Sequence, residues 1–260
     1  MNGVDHKFAR LKTSKRKGII TYLTAGDPDL QATEAIVLEM ARRGADMVEL
    51  GVPFSDPVAD GPVIQDASKR ALVRDVTLED VLKLAGRLRS RVRIPLLLMS
   101  YYNPIFSYGL SNFVDSASCS GVDGVIIPDL PLEESEAFSR DLKKAGIHFI
   151  SFLAPTSSDQ RIKETVERAT GFIYCISVAG VTGARDVIPA QAHKLLEKVN
   201  SMTEVPLALG FGISSPEQVQ SIGKHGSAVI IGSAIMKLVE QGGDGETIAR
   251  RVGAFLKKFN

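Results

Sequence analysis

Cysteine is scarce in this 260-residue chain: Cys119 and Cys175 are too few for a disulfide framework and stand at no metal-ligand spacing. Its four histidines, His6, His148, His193 and His225, are scattered, so neither a metal site nor a Ser-His-Asp triad has parts to use. No apolar run approaches the roughly 18 residues of a membrane span, and the amino terminus lacks the apolar stretch of a signal peptide. The expectation is a soluble, cytoplasmic protein with no membrane contact. Charge of one sign is missing too: 31 basic residues face 30 acidic ones, net +1, which points to no nucleic-acid partner. The basic cluster Lys12, Lys15, Arg16 and Lys17 reads as the solvated face of a short leading helix. The G-x-G-x-x-G fingerprint of a dinucleotide fold is absent.

What is present is an alternation of short β-branched strands with longer segments of helical period. Strands are expected at 18–24, within 46–51, and at 94–101, 121–128, 147–153, 172–177, 205–209 and 227–231. Helices are expected near 29–43, 62–72 and 77–91, the last introduced by Thr77 with Glu79 and Asp80 in its first turn. Pro131 and the acids after it read as the opening of another, and the glycines near 242–245 as a bend before a last one. Four segments put a glycine just before an apolar strand, at Gly44, Gly121, Gly146 and Gly226, so the repeating unit is helix, Gly, strand. Continuous apolar strands suit a parallel sheet covered by helices, and eight such units close a (β/α)8 barrel. An open doubly wound sheet is the main rival. No linker or low-complexity tract divides the chain, which reads as one domain.

In such a barrel the active site forms at the carboxyl ends of the strands. No lysine stands there to serve as a Schiff-base nucleophile. Two carboxylates do: Glu49, inside the second strand, and Asp60, on the loop that follows. Glu49 has two readings, a carboxylate leaning into solvent at the strand mouth or a buried acid whose pKa shifts toward neutrality. Glycines cluster after the last three strands, at 179–183, 210–214 and 232–235, where backbone N–H groups and a helix starting at Ser233 suit a phosphate. Tyr22, Tyr101, Tyr102, Tyr174 and Phe211 collect at the same rim, core packing being the alternative for each. Phosphate at one end and aromatic walls at the other suit a flat apolar group carrying a short phosphorylated tail. What remains as chemistry is proton transfer by carboxylates, with Tyr174 as a candidate helper, on a substrate that carries its own electron sink.

Several stretches carry a more specific signal: Tyr-Leu-Thr-Ala-Gly-Asp-Pro at 22–28, Glu-Leu-Gly-Val-Pro-Phe-Ser-Asp-Pro-Val-Ala-Asp-Gly-Pro-Val-Ile-Gln at 49–65, Pro-Asp-Leu-Pro-Leu-Glu-Glu-Ser at 128–135, Gly-Val-Thr-Gly at 180–183 and Gly-Phe-Gly-Ile-Ser at 210–214. From about residue 16 to the last helix, the chain resembles the tryptophan synthase alpha chain family. That resemblance implies a single-domain TIM barrel over residues 1–260, with an extra N-terminal helix. It also implies retro-aldol cleavage of indole-3-glycerol phosphate to indole and glyceraldehyde 3-phosphate without metal or cofactor. It places Glu49 as general acid/base, Asp60 on the indole N–H, and Tyr174 in a supporting catalytic role. Gly183, Gly212, Gly232 and Ser233 map onto phosphate-binding turns, and Tyr22, Tyr101, Ile126 and Phe211 onto the indole pocket. Thr182 belongs to a loop that closes over the substrate. Some relatives carry arginine and phenylalanine where this chain has Val178 and Tyr22. The family implies an αββα complex with a beta chain that holds pyridoxal phosphate, and Asp56 matches a loop position facing that partner. Two other classes stay open from the residues alone: another phosphate-binding barrel such as a phosphosugar isomerase, and a non-catalytic scaffold.

Overall fold

The computed structural model describes residues 2–176, 188–210 and 212–259. Eight parallel strands close into a barrel in sequence order: β1 (Gly18–Thr24), β2 (Met47–Gly51), β3 (Leu96–Met99), β4 (Gly124–Ile126), β5 (His148–Leu153), β6 (Ile173–Ile176), β7 (Leu207–Gly210) and β8 (Ala228–Ile231), which pairs back to β1. The closed order sets aside the open doubly wound sheet. Before β1 comes α1 (Gly3–Thr13), and α2 (Leu30–Arg42) connects β1 to β2. The next connections are α3 (Pro62–Leu72) with α4 (Leu78–Arg89), and α5 (Tyr102–Tyr108) with α6 (Leu110–Cys119). Then follow α7 (Glu136–Lys144), α8 (Asp159–Arg168), α9 (Ala190–Asn200), α10 (Pro216–Ser221), α11 (Ser233–Glu240) and α12 (Gly245–Leu256).

Local chemistry sets these boundaries. Asp29 caps α2 by accepting from Ala32 N at 2.7 Å, and Asp244 caps α12 through Thr247 N at 2.7 Å. At α4 the Thr77 hydroxyl accepts from Asp80 N while the Asp80 carboxylate accepts from Thr77 N, a reciprocal capping box. Such caps each contribute about 1 kcal/mol. Gly44, Gly121 and Gly146 adopt the left-handed conformation expected of helix stops, whereas before β8 that role falls to Gly223 rather than Gly226. Pro131 does not open a helix. Its carbonyl accepts from Glu134 N at 3.1 Å, and the Ser135 hydroxyl takes the carbonyl of Leu132, so these residues form a turn and α7 starts only at Glu136.

Alternation along each strand divides the core into two shells. Outward residues such as Ile19, Leu23, Val48, Leu50, Leu96 and Leu98 pack beneath the helices. Inward residues Ile20, Met47, Leu97, Ile126, Ile150, Phe172, Ala208, Ala228 and Ile230 fill the barrel, joined by Val4, Phe8 and Leu11 of α1. The leading helix is therefore a plug at the amino end of the barrel, with Phe8 and Phe172 ring centroids 5.7 Å apart. The basic cluster is not a face of this helix: only Lys12 lies on α1, which ends at Thr13, and Lys15, Arg16 and Lys17 follow it. Lys12, Lys15 and Arg16 are exposed, yet Arg16 also reaches the buried carboxylate of Asp46 at 2.5 Å, and Lys17 donates to Gly226 O.

Candidate active site

With the amino end plugged, the inward positions nearest the carboxyl end face the mouth. Met47 lies in the barrel interior, so Glu49, two residues on, points inward above it. The register aligns Glu49 with Tyr22 on β1 and Leu97 on β3. Glu49 is 0% exposed, and neither carboxyl oxygen has a hydrogen-bond partner among the described residues. The solvent-leaning reading is thereby excluded. Burial, reinforced by the charge of Asp60, pushes its pKa up to about 8, so near neutral pH Glu49 is mainly the protonated acid.

Asp60 comes to the same mouth on the loop between β2 and α3. Tyr101, the residue before α5, donates its hydroxyl to Asp60 Oδ2 at 3.0 Å and accepts from Ala59 N at 3.0 Å. Gln65 in the first turn of α3 donates to the Asp60 carbonyl at 2.8 Å. Burial raises the Asp60 pKa, and the hydrogen bond from Tyr101 opposes the rise. Phe54 stacks on Tyr101 with centroids 5.2 Å apart.

Two tyrosines complete the wall. Tyr22 lies within β1, buried, with its hydroxyl 3.1 Å from Thr24 Oγ1. Tyr174 on β6 packs on Phe152 with centroids 4.9 Å apart. Burial raises both phenols well above their ordinary value. Negative charge adds to this, mainly from Asp60 at Tyr22 and from Glu49 at Tyr174, so both stay protonated. Both rings need a neighbouring glycine: a Cβ on Gly51 would lie 2.2 Å from the Tyr22 hydroxyl, and one on Gly210 would lie 2.5 Å from Tyr174 Cε1. Tyr102 does not join the wall; it opens α5 and packs toward the helical shell, near Phe106.

Ile126 is fully buried at the inward end of β4. Gly232 is the residue before α11, whose amino end has no side-chain cap, and Ser233 is its buried first residue. Uncapped N–H groups at a helix start are an anion site of the type sought for phosphate. Gly212 has a left-handed φ of 61° just past β7. Asp56 is exposed, and its carboxylate accepts from the hydroxyl of its neighbour Ser55. Thr182, Gly183, Phe211 and Val178 lie outside the described residues. Among the described residues no group of His, Cys, Asp and Glu is arranged to hold a metal ion.

Sequence reasoning gave no site role to Gly51, Phe54, Phe152, Thr24 and Gln65, and read Gly210 only as part of a phosphate turn. Each acts by touching a predicted site residue. Only Gly51 and Gly210 carried a local signal, a glycine at a strand's last position.

A closed barrel whose mouth holds a buried glutamate, a second carboxylate and buried phenols has the architecture of a (β/α)8-barrel enzyme. The family model for the tryptophan synthase alpha chain matches residues 8–260. The tryptophan synthase alpha chain of Geobacter sulfurreducens is 45% identical over 256 residues, covering 98% of this chain and 97% of the relative. The crystal structure of the Legionella pneumophila alpha subunit superposes with a TM-score of 0.89 at 34% identity, covering 100% of this chain and 97% of that one. A tryptophan synthase complex from Pyrococcus furiosus contributes a chain with a TM-score of 0.86 at 34% identity, covering 93% and 97%. The chain belongs to the tryptophan synthase alpha chain family. It is a carbon–carbon lyase of tryptophan biosynthesis that cleaves indole-3-glycerol phosphate to indole. The family's alpha chain carries no cofactor of its own and acts with a beta chain, which holds pyridoxal phosphate. That membership sets aside the isomerase and scaffold readings.

Proposed function

We propose that Glu49, Asp60 and Tyr174 perform the cleavage. The observation that carries this reading is the Glu49 carboxyl, buried near Asp60 at the barrel mouth without a hydrogen-bond partner among the described residues. Protonated Glu49 gives its proton to C3 of the indole ring. The ring nitrogen then bears the positive charge, which the Asp60 carboxylate stabilises through the N–H. The Glu49 carboxylate next takes the proton of the C3′ hydroxyl. The C3–C3′ electron pair returns to the ring as the C3′ carbonyl forms, which releases indole and glyceraldehyde 3-phosphate and leaves Glu49 protonated again. Tyr174, held as a neutral phenol, supports the site as a hydrogen-bond donor.

Tyr22, Tyr101, Ile126 and Phe211 enclose the indole. Gly183, Gly212, Gly232 and Ser233 hold the phosphate, with the uncapped start of α11 as its electrostatic anchor. Thr182 belongs to the loop that closes over the substrate. Residues 1–260 act as one cytoplasmic domain, pairing with the beta chain in an αββα assembly, and the exposed Asp56 lies in the contact.

The test is to supply purified protein with indole-3-glycerol phosphate and measure indole, alone and with a beta chain. Turnover is expected, falling about 10²- to 10⁴-fold in Glu49→Gln. Full turnover in that variant would overturn the assignment of Glu49.

A further inference from the structure

Asp27 is a carboxylate the mechanism does not use, yet it is only 1% exposed. It sits just beyond β1, and both its oxygens are taken by one side chain: Arg70 Nε reaches Oδ1 at 2.9 Å and Arg70 Nη2 reaches Oδ2 at 2.8 Å. Arg70 lies in the last turn of α3. A buried ion pair is weak evidence for stability, because desolvation offsets most of the Coulomb attraction. A bidentate one does fix direction, since the planar guanidinium accepts a carboxylate in one plane.

What it fixes is the helix that begins where Asp60 ends. α3 starts at Pro62, and its buried face, Ile64, Ala67, Ser68 and Ala71, packs toward β1 and α11. Three of those four residues are small, so side-chain interlocking on that face is limited largely to Ile64. Its eleven residues span about 16 Å, so one end can be held by Arg70 while the other meets the active site. At that other end Gln65 donates to the Asp60 carbonyl at 2.8 Å. The same arginine stands 3.8 Å from Glu240, the last residue of α11.

We infer that Asp27 and Arg70 are positioning residues for the reaction: their bidentate pair sets the register of α3, and through Gln65 that register places the Asp60 carboxylate. The inference rests on the proposed role of Asp60 in stabilising the cationic ring. Because that charge develops as the ring is protonated, misplacing Asp60 lowers kcat more than it raises KM.

The experiment compares Arg70→Lys, Gln65→Ala, the double variant and Asp60→Asn in the full chain, with urea unfolding to confirm that each is folded at the assay temperature. Arg70→Lys keeps the charge and loses the fork. Each single positioning variant is expected to lose about 10-fold or more in kcat, within the ~10²-fold that a 1 Å misplacement costs. KM should change much less than kcat. Because both act through one chain of contacts, the double variant should lose little more than the worse single one. A merely structural pair would lower the urea midpoint and leave kcat of the folded fraction unchanged. Normal kcat in folded Arg70→Lys and Gln65→Ala beside a disabled Asp60→Asn would overturn the inference alone, as would fully multiplicative losses. Full turnover in Asp60→Asn would sink the role of Asp60 and this inference with it.

Discussion

At the scale of single residues, the proposed chemistry turns on Glu49, whose carboxyl is buried and finds no hydrogen-bond partner among the described residues. An acid inside a strand left two readings open in the sequence, since the same residue can lean outward or be buried. What the sequence could not display was the closure of the barrel over Met47 below it and the phenols beside it. Burial raises its pKa from an ordinary 4.5 to about 8. Between those values the folded protein keeps a proton that the unfolded chain has released, so stability must fall as pH rises through this window and stay low above it. The loss is on the order of a few kcal/mol. Glu49→Gln removes the titration. Urea midpoints of the two proteins should therefore lie close at pH 5 and diverge by pH 8.5, with the variant more stable, and a gap that stays constant with pH would contradict the burial argument.

Elements differ in how plainly the sequence announces them. β1, α3 and the start of α11 at Ser233 were legible to the residue, because Pro62 is a strong helix opener and Gly232 a clear strand-end stop. α5 and α6 were not: Asn103 and Pro104 lie in the first turn of one, and Gly109, at φ 93°, both ends it and starts the next. Pro131 misled because a proline suits a tight turn as well as a helix start. The element with most bearing on substrate is α11, whose uncapped N–H groups are proposed to meet the phosphate. Ser233→Asp would put a fixed negative charge there, which complements the helix dipole while repelling the ligand. The expected result is a KM raised about tenfold, as about 1.4 kcal/mol of lost anion binding requires, with kcat changed much less. An unchanged KM would move the phosphate elsewhere.

On the scale of the whole molecule, the barrel separates stability at one end from chemistry at the other. The amino end is closed by α1 and tied by Asp46, whose carboxylate accepts from Ile19 N at 3.0 Å and pairs with Lys7 at 3.3 Å and Arg16 at 2.5 Å. Asp123 does similar work, accepting from Gly3 N at 3.2 Å and Leu96 N at 2.9 Å. Asp46→Ala leaves the Ile19 N–H buried without an acceptor, a cost of about 1–3 kcal/mol. Urea unfolding should register that loss while kcat stays unchanged, and a large fall in kcat would show that the two ends are not independent.

The claim on which the chemistry depends is that Glu49 carries a proton to and from C3 of the indole ring. Exchange of the C3 hydrogen of free indole with D2O isolates that step, for it needs no carbon–carbon bond to break. With glycerol 3-phosphate filling the phosphate end, the wild-type protein should accelerate the exchange, and Glu49→Gln, still folded, should leave it at the rate seen without protein. Equal exchange in the two proteins would remove Glu49 from the proton transfer.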